Sequence, residues 1–169
     1  HGYNQSVAWG EKANDDKYDA TAIVGMQYDE TRCFWYMVNG GVFDRFPDLK
    51  VYITHGGGYV PYQLGRLDQC NKNLDTTFNK KGLLEYMPNF YFDLELHEKP
   101  MRQAVLELIG ADQLLYGSNF GGSDAVRHDL TEGLRISDED LQKIRYKNAL
   151  DLLHLDPAKI GRARTPVAA

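Results

Sequence analysis

Leu49-Lys50-Val51-Tyr52-Ile53-Thr54-His55-Gly56-Gly57-Gly58 is a short strand signal that runs straight into a histidine and three glycines. Its first six residues are rich in β-branched and aromatic side chains, which predicts a β-strand. The glycines carry no Cβ, so a ligand can approach the backbone beside the imidazole closely. Upstream, Glu30 to Phe46 predicts a helix that Gly40-Gly41 weakens and Pro47-Asp48 stops. Downstream, a second helix is predicted from about Pro61 to Cys70. The polar stretch from His1 to Asp29 reads as a long loop with at most a short helix.

The alternation then repeats. Asn89 to Asp93 predicts a strand, Met101, Ala104, Val105, Leu108 and Ile109 recur at helical spacing, and Gly110 stops that helix. Gln113 to Tyr116 predicts a third strand, and a glycine-bearing connection leads to a last helix. Ser137, with Asp140 three residues on, predicts its capped start, and Pro157 its end. Strand–helix alternation predicts a parallel α/β sheet. In such sheets the chemistry gathers at the C-terminal strand ends. That rule selects His55 after the first strand, Glu95 and His97 after the second, and Ser118, Asn119 and Asp124 after the third. His55 suits a metal ligand or an acid/base. The competing reading is a loop histidine whose glycines serve only the turn. His97 is a weaker candidate in a helix-start region, and His128 and His154 read as surface residues at helix ends.

Composition narrows the function classes. The 169 residues are 43% hydrophobic and 25% charged, as in a soluble globular domain. Nineteen basic against 24 acidic residues give a net charge of −5, without the basic footprint that nucleic-acid binding needs. No apolar run approaches the roughly 20 residues of a membrane span, and no signal peptide pattern is present. Cys33 and Cys70 fit no Cys-x-x-Cys spacing and read as free thiols in a reducing compartment, so a cytoplasmic location is expected. The first residue is His1 rather than Met, so the translation start is expected to lie upstream.

Gly41-Val42-Phe43-Asp44-Arg45-Phe46-Pro47-Asp48-Leu49-Lys50, continuing through His55-Gly56-Gly57-Gly58, resembles a block of the amidohydrolase-related family, in the branch of the aminocarboxymuconate semialdehyde decarboxylase-like enzymes. Asn89 to Asp93, Leu114 to Phe120, and Lys147-Asn148-Ala149 with Leu152-Leu153 resemble later blocks in the same order. The resemblance covers most of residues 29–156. It implies a (β/α)8 barrel with one divalent metal, usually zinc. A complete barrel needs about 250 residues. Residues 1–157 are therefore expected to be the C-terminal half, from the end of the fifth strand to the final helix, with 158–169 as a flexible tail. The N-terminal half is expected as a missing partner.

By the same resemblance His55 matches the histidine after the sixth strand, beside the metal, and His1 suits the metal-binding histidine after the fifth. Asn119 falls where the family places a metal-binding, catalytic Asp, and Asp124 is the acid that could loop back to replace its charge at the substrate. Arg66 matches an arginine that in some members crosses a dimer to bind a substrate carboxylate, which implies a homodimer. The first-strand His-x-His pair is absent from this chain. The expected activity is nonoxidative decarboxylation of a small carboxylated aromatic or ring-cleavage product by a metal-dependent lyase or hydrolase. A hydratase or C–C bond hydrolase in the same barrel is the alternative reaction. A metal-free, non-catalytic binding subunit is the alternative class.

Overall fold

The computed structural model describes residues 21–122, 125–158 and 160. His1, Asp124 and nearly all of the expected tail lie outside these residues. A π-helical turn at Thr21–Gly25 leads into α1 (Met26–Asn39), and α2 (Val42–Arg45) follows. Helix therefore begins ahead of Glu30 and claims the end of the segment expected as loop. The helix expected to run to Phe46 breaks in two at Gly40-Gly41. Gly41 takes a left-handed φ of 65°, and a Cβ there would stand 2.8 Å from the Phe78 carbonyl oxygen. Only glycine fits that bend.

Strand β1 (Val51–Ile53), helix α3 (Val60–Lys72), strand β2 (Phe90–Asp93), helix α4 (Lys99–Ile109) and strand β3 (Leu114–Leu115) then alternate. The sheet is parallel, in the order β1-β2-β3. The register pairs Ile53 with Phe92 and Phe92 with Leu114, and it pairs Tyr52 with Tyr91 and Asp93 with Leu115. Successive residues face opposite sides of a strand, so these pairs define two faces. One face carries Ile53, Phe90, Phe92 and Leu114, and it packs with Phe34 and Val38 of α1, Val60 of α3 and Val105 of α4. Phe34 and Phe43 close on Phe90 with ring centroids at 4.6 and 4.9 Å. The other face carries Tyr52, Tyr91 and Asp93. It is the face that turns residues at the strand ends toward one another.

The remaining blocks of the sequence resemblance brace this sheet. Asp44 accepts hydrogen bonds from the Tyr86 hydroxyl at 2.8 Å and the Lys80 amide at 3.0 Å. Asn89 donates to the carbonyls of Pro47 and Leu49, which fixes the entry to β1. Asn148, buried in the last helical segment, donates to the carbonyls of Ala111 and Leu114 and ties that segment to β3. The segment comprises α5 (Asp138–Gln142), a π-helical stretch (Lys143–Lys147) and α6 (Asn148–Leu152). Ser137 caps its start, accepting from the Asp140 amide at 3.1 Å. His154 follows α6 and is exposed, whereas His128 lies in the long loop before α5 rather than at a helix end.

Candidate functional site

His55 stands two residues past β1, and its φ of 52° is left-handed. A non-glycine residue holds that conformation only where its surroundings over-determine it. The three glycines after it continue the left-handed run, with φ of 66°, 84° and 59°. At Gly57 a Cβ would stand 2.3 Å from the Phe92 ring, so the loop lies directly on the sheet.

Two carboxylates hold the imidazole. Glu30 on α1 places Oε1 2.6 Å from His55 Nδ1, and the same oxygen accepts from the Thr54 hydroxyl at 2.6 Å. The second Glu30 oxygen is buried and has no hydrogen-bond partner among the described residues. On the other side of the ring, Nε2 lies 3.9 Å from Oε2 of Glu95, itself buried just past β2. The hydrogen bond to Glu30 raises the His55 pKa from 6.5 to about 9; burial opposes the shift, and the charges of Glu30, Glu95 and Asp93 reinforce it. The ring thus holds its proton at neutral pH. Nδ1 faces Glu30 and Nε2 faces Glu95.

Asp93, at the end of β2, is fully engaged. Its Oδ1 accepts from the Gly56 amide at 2.8 Å and the Glu95 amide at 3.1 Å, and its Oδ2 accepts from the Tyr52 hydroxyl. Burial pushes its carboxyl pKa up against those hydrogen bonds. The Tyr52 phenol is pushed up as well, by burial first and then by the charge of Asp93.

The other residues selected from sequence are placed as follows. Asn119 lies four residues past β3 with φ 49°, and its carbonyl accepts from the Gly122 amide at 2.7 Å. Its side-chain amide packs over Gly122, where a Cβ would stand 2.1 Å from Nδ2. Arg66 is exposed on α3 and makes no ion pair with another described residue. His97 is exposed in the bend before α4, and its carbonyl accepts from buried Arg102. Cys33 and Cys70 are exposed free thiols on α1 and α3. A groove lined by Tyr116, Ser118, Phe120, His128 and Arg145 lies beside the β3 loop, and neither His55 nor Glu30 lines it. The sequence reading gave Glu30, Tyr52 and Asp93 no chemical role. No local signal marks Glu30, because an acid in a helix meets a histidine 25 positions later only through the packing of α1 on the sheet.

Among the described residues no group of three or more His, Cys, Asp or Glu side chains gathers as metal donors, and no helix is long and apolar enough to cross a membrane.

Known proteins resemble this chain in sequence and fold. The chain is 30% identical over 143 residues to 2-amino-3-carboxymuconate-6-semialdehyde decarboxylase of Dictyostelium discoideum, covering 81% of this chain and 40% of that protein. Its fold matches 4-oxalomesaconate hydratase of Rhodopseudomonas palustris at 26% identity and a TM-score of 0.62, over 76% of this chain and 42% of the other. It also matches a dihydroxybenzoic acid decarboxylase of Polaromonas sp. JS666, solved with bound manganese and the inhibitor 2-nitroresorcinol, at 20% identity and a TM-score of 0.66, over 85% and 47% of the two chains. The chain thus spans less than half the length of each of these three proteins. The parallel sheet and its helices are part of a (β/α)8 barrel, the fold that the sequence resemblance implied. The amidohydrolase family profile matches residues 28–155, the span that runs from α1 through the His55 loop to the final helix, and the chain belongs to that family.

Proposed function

We propose that the protein is a nonoxidative decarboxylase of a small carboxylated aromatic acid or ring-cleavage product, with His55 as proton donor. The observation that carries this reading is the grip of Glu30 and Glu95 on the two nitrogens of His55. Decarboxylation breaks a carbon–carbon bond and leaves its electron pair on the ring carbon. That carbon takes a proton as carbon dioxide departs, so the reaction needs an acid. An imidazolium held by carboxylates supplies one at neutral pH.

The kinship supports the same class. The Dictyostelium relative is a decarboxylase and the Rhodopseudomonas structure is a hydratase. Hydration is the second reading, since it too uses a positioned proton donor.

The described residues do not by themselves complete a metal site. The manganese in the Polaromonas decarboxylase supports a divalent ion here, with zinc as the alternative metal. His1 and Asn119 are the residues proposed to hold it, with protonated His55 beside it as the acid, and Asp124 is proposed to face the substrate. When bound, such an ion supplies a Lewis acid for a substrate oxygen.

Arg66 is proposed to bind the substrate carboxylate, across a homodimer. Its guanidinium is uncommitted among the described residues, and its planar fork matches a carboxylate. Arg66→Lys keeps the charge but loses the fork. It is expected to raise KM by about tenfold while kcat changes little, the pattern of lost uniform binding. Unchanged KM would remove Arg66 from the site.

The reaction itself is tested by carbon dioxide release from hydroxybenzoate-type acids by the full-length protein. Stoichiometric release supports the decarboxylase. A folded protein that releases none supports the hydratase or a non-catalytic subunit.

A further inference from the structure

Asp93 closes one of the sequence blocks that mark the family, yet the proposed chemistry gives it no task. Asp93 is 1% exposed, so it meets no substrate. Its carboxylate nevertheless touches the ends of all three strands. Oδ1 takes the Gly56 amide after β1 and the Glu95 amide after β2. Oδ2 takes the hydroxyl of Tyr52 on β1. Past β3, Gly117 runs so close that a Cβ would stand 2.6 Å from Oδ2 and 2.8 Å from the Tyr52 oxygen. The Gly56 amide directly follows His55, whose left-handed φ of 52° needs an external hold. Glu30 grips the ring, and Asp93 grips the backbone beside it.

We propose that Asp93 is a positioning residue that clamps the Gly56 amide and so keeps His55 aimed between Glu30 and Glu95. This rests on the reading of His55 as the proton donor. Asparagine in its place keeps the clamp: the amide oxygen accepts from both backbone amides, and the amide nitrogen donates to the Tyr52 oxygen. Alanine removes it and leaves two buried amides without an acceptor.

The test compares Asp93→Ala, Asp93→Asn and Tyr52→Phe in the full-length protein, following kcat, KM and the downfield Nδ1 proton resonance of His55. Displacement of a reacting group lowers turnover rather than binding, so Asp93→Ala is expected to lower kcat by about 30-fold with KM within about threefold of wild type. Its imidazole resonance should broaden or move. Asp93→Asn is expected to restore kcat to within about threefold of wild type, together with the resonance. Should Asp93→Ala fail to fold, Tyr52→Phe carries the test, because half-exposed Tyr52 loses only its bond to the clamp; a fall in kcat of about threefold is expected. Wild-type kcat and resonance in Asp93→Ala, or in Tyr52→Phe where Asp93→Ala does not fold, would overturn the proposal. An Asp93→Asn enzyme as impaired as Asp93→Ala would do the same, since charge and not geometry would then be required. If the wild-type protein has no turnover but its resonance responds as described, the clamp stands and the decarboxylase reading fails.

Discussion

Replacing His55 with alanine or asparagine is expected to lower turnover per folded molecule by about a thousand-fold, within the range of a positioned proton-transfer group. The two variants are needed because His55 occupies a left-handed backbone conformation. Alanine is strained there, whereas asparagine adopts that region readily. Asparagine therefore removes the imidazole while keeping the loop. The ring is held from both sides, at 2.6 Å by Glu30 and 3.9 Å by Glu95, and neither carboxylate can stand in for a proton donor that is charged at neutral pH. If His55→Asn keeps wild-type turnover, the histidine is a loop residue and the two carboxylates serve only packing. If both variants lose stability but keep activity in the folded fraction, the same conclusion holds.

Glu30→Gln is the second large effect, with an expected fall in turnover of about 100-fold, the upper scale for removing the group that orients an active histidine. Glutamine keeps the size and an oxygen for Nδ1, so the ring stays in place while the charge is lost. The hydrogen bond to Glu30 is the first cause of the raised His55 pKa. With the carboxylate charge gone that bond is weaker, and the imidazole pKa falls from about 9 back toward its ordinary 6.5. Stability follows the same linkage. A folded-state pKa raised from 6.5 to about 9 contributes stability that is fully present below 6.5 and is lost as pH rises through about 9. Denaturant melts of the chelated protein across that window should therefore show wild type weakening toward alkaline pH, and Glu30→Gln should flatten the trend. A variant whose activity and alkaline weakening both match wild type would detach Glu30 from the site.

Much of the fold is legible in the sequence because its signals are local. Val51-Tyr52-Ile53 and Phe90-Tyr91-Phe92 carry strand chemistry in adjacent residues, and Ser137 caps a helix through the amide of Asp140, three positions on. Gly40-Gly41 announces a break, although the extra start of α1 at Met26 is hidden in a polar segment. The π-helical stretch at Lys143–Lys147 has no sequence signature. It presents buried Ile144 to the core and precedes Asn148, whose side chain must reach two carbonyls around β3. The candidate site is legible in part. Strand-end logic finds His55 and Glu95 from position alone. It does not find Glu30, because that contact depends on which turn of α1 lies over the β1 loop. It passes over Asp93 as a strand residue, because its partners Gly56 and Tyr52 belong to another strand and its loop. Position also does not show whether His55 is charged, which depends on the packing of Glu30 and Glu95 around the ring.

The central claim is that His55 hands a proton to a carbon that loses carbon dioxide. It is tested most directly by the mass of the product formed in deuterated water by the full-length, manganese-supplied protein acting on hydroxybenzoate-type acids. The expected product has lost carbon dioxide and carries one deuterium at the vacated carbon. A product that keeps its carboxylate and has added the elements of deuterated water, or substrate recovered unchanged, would contradict it.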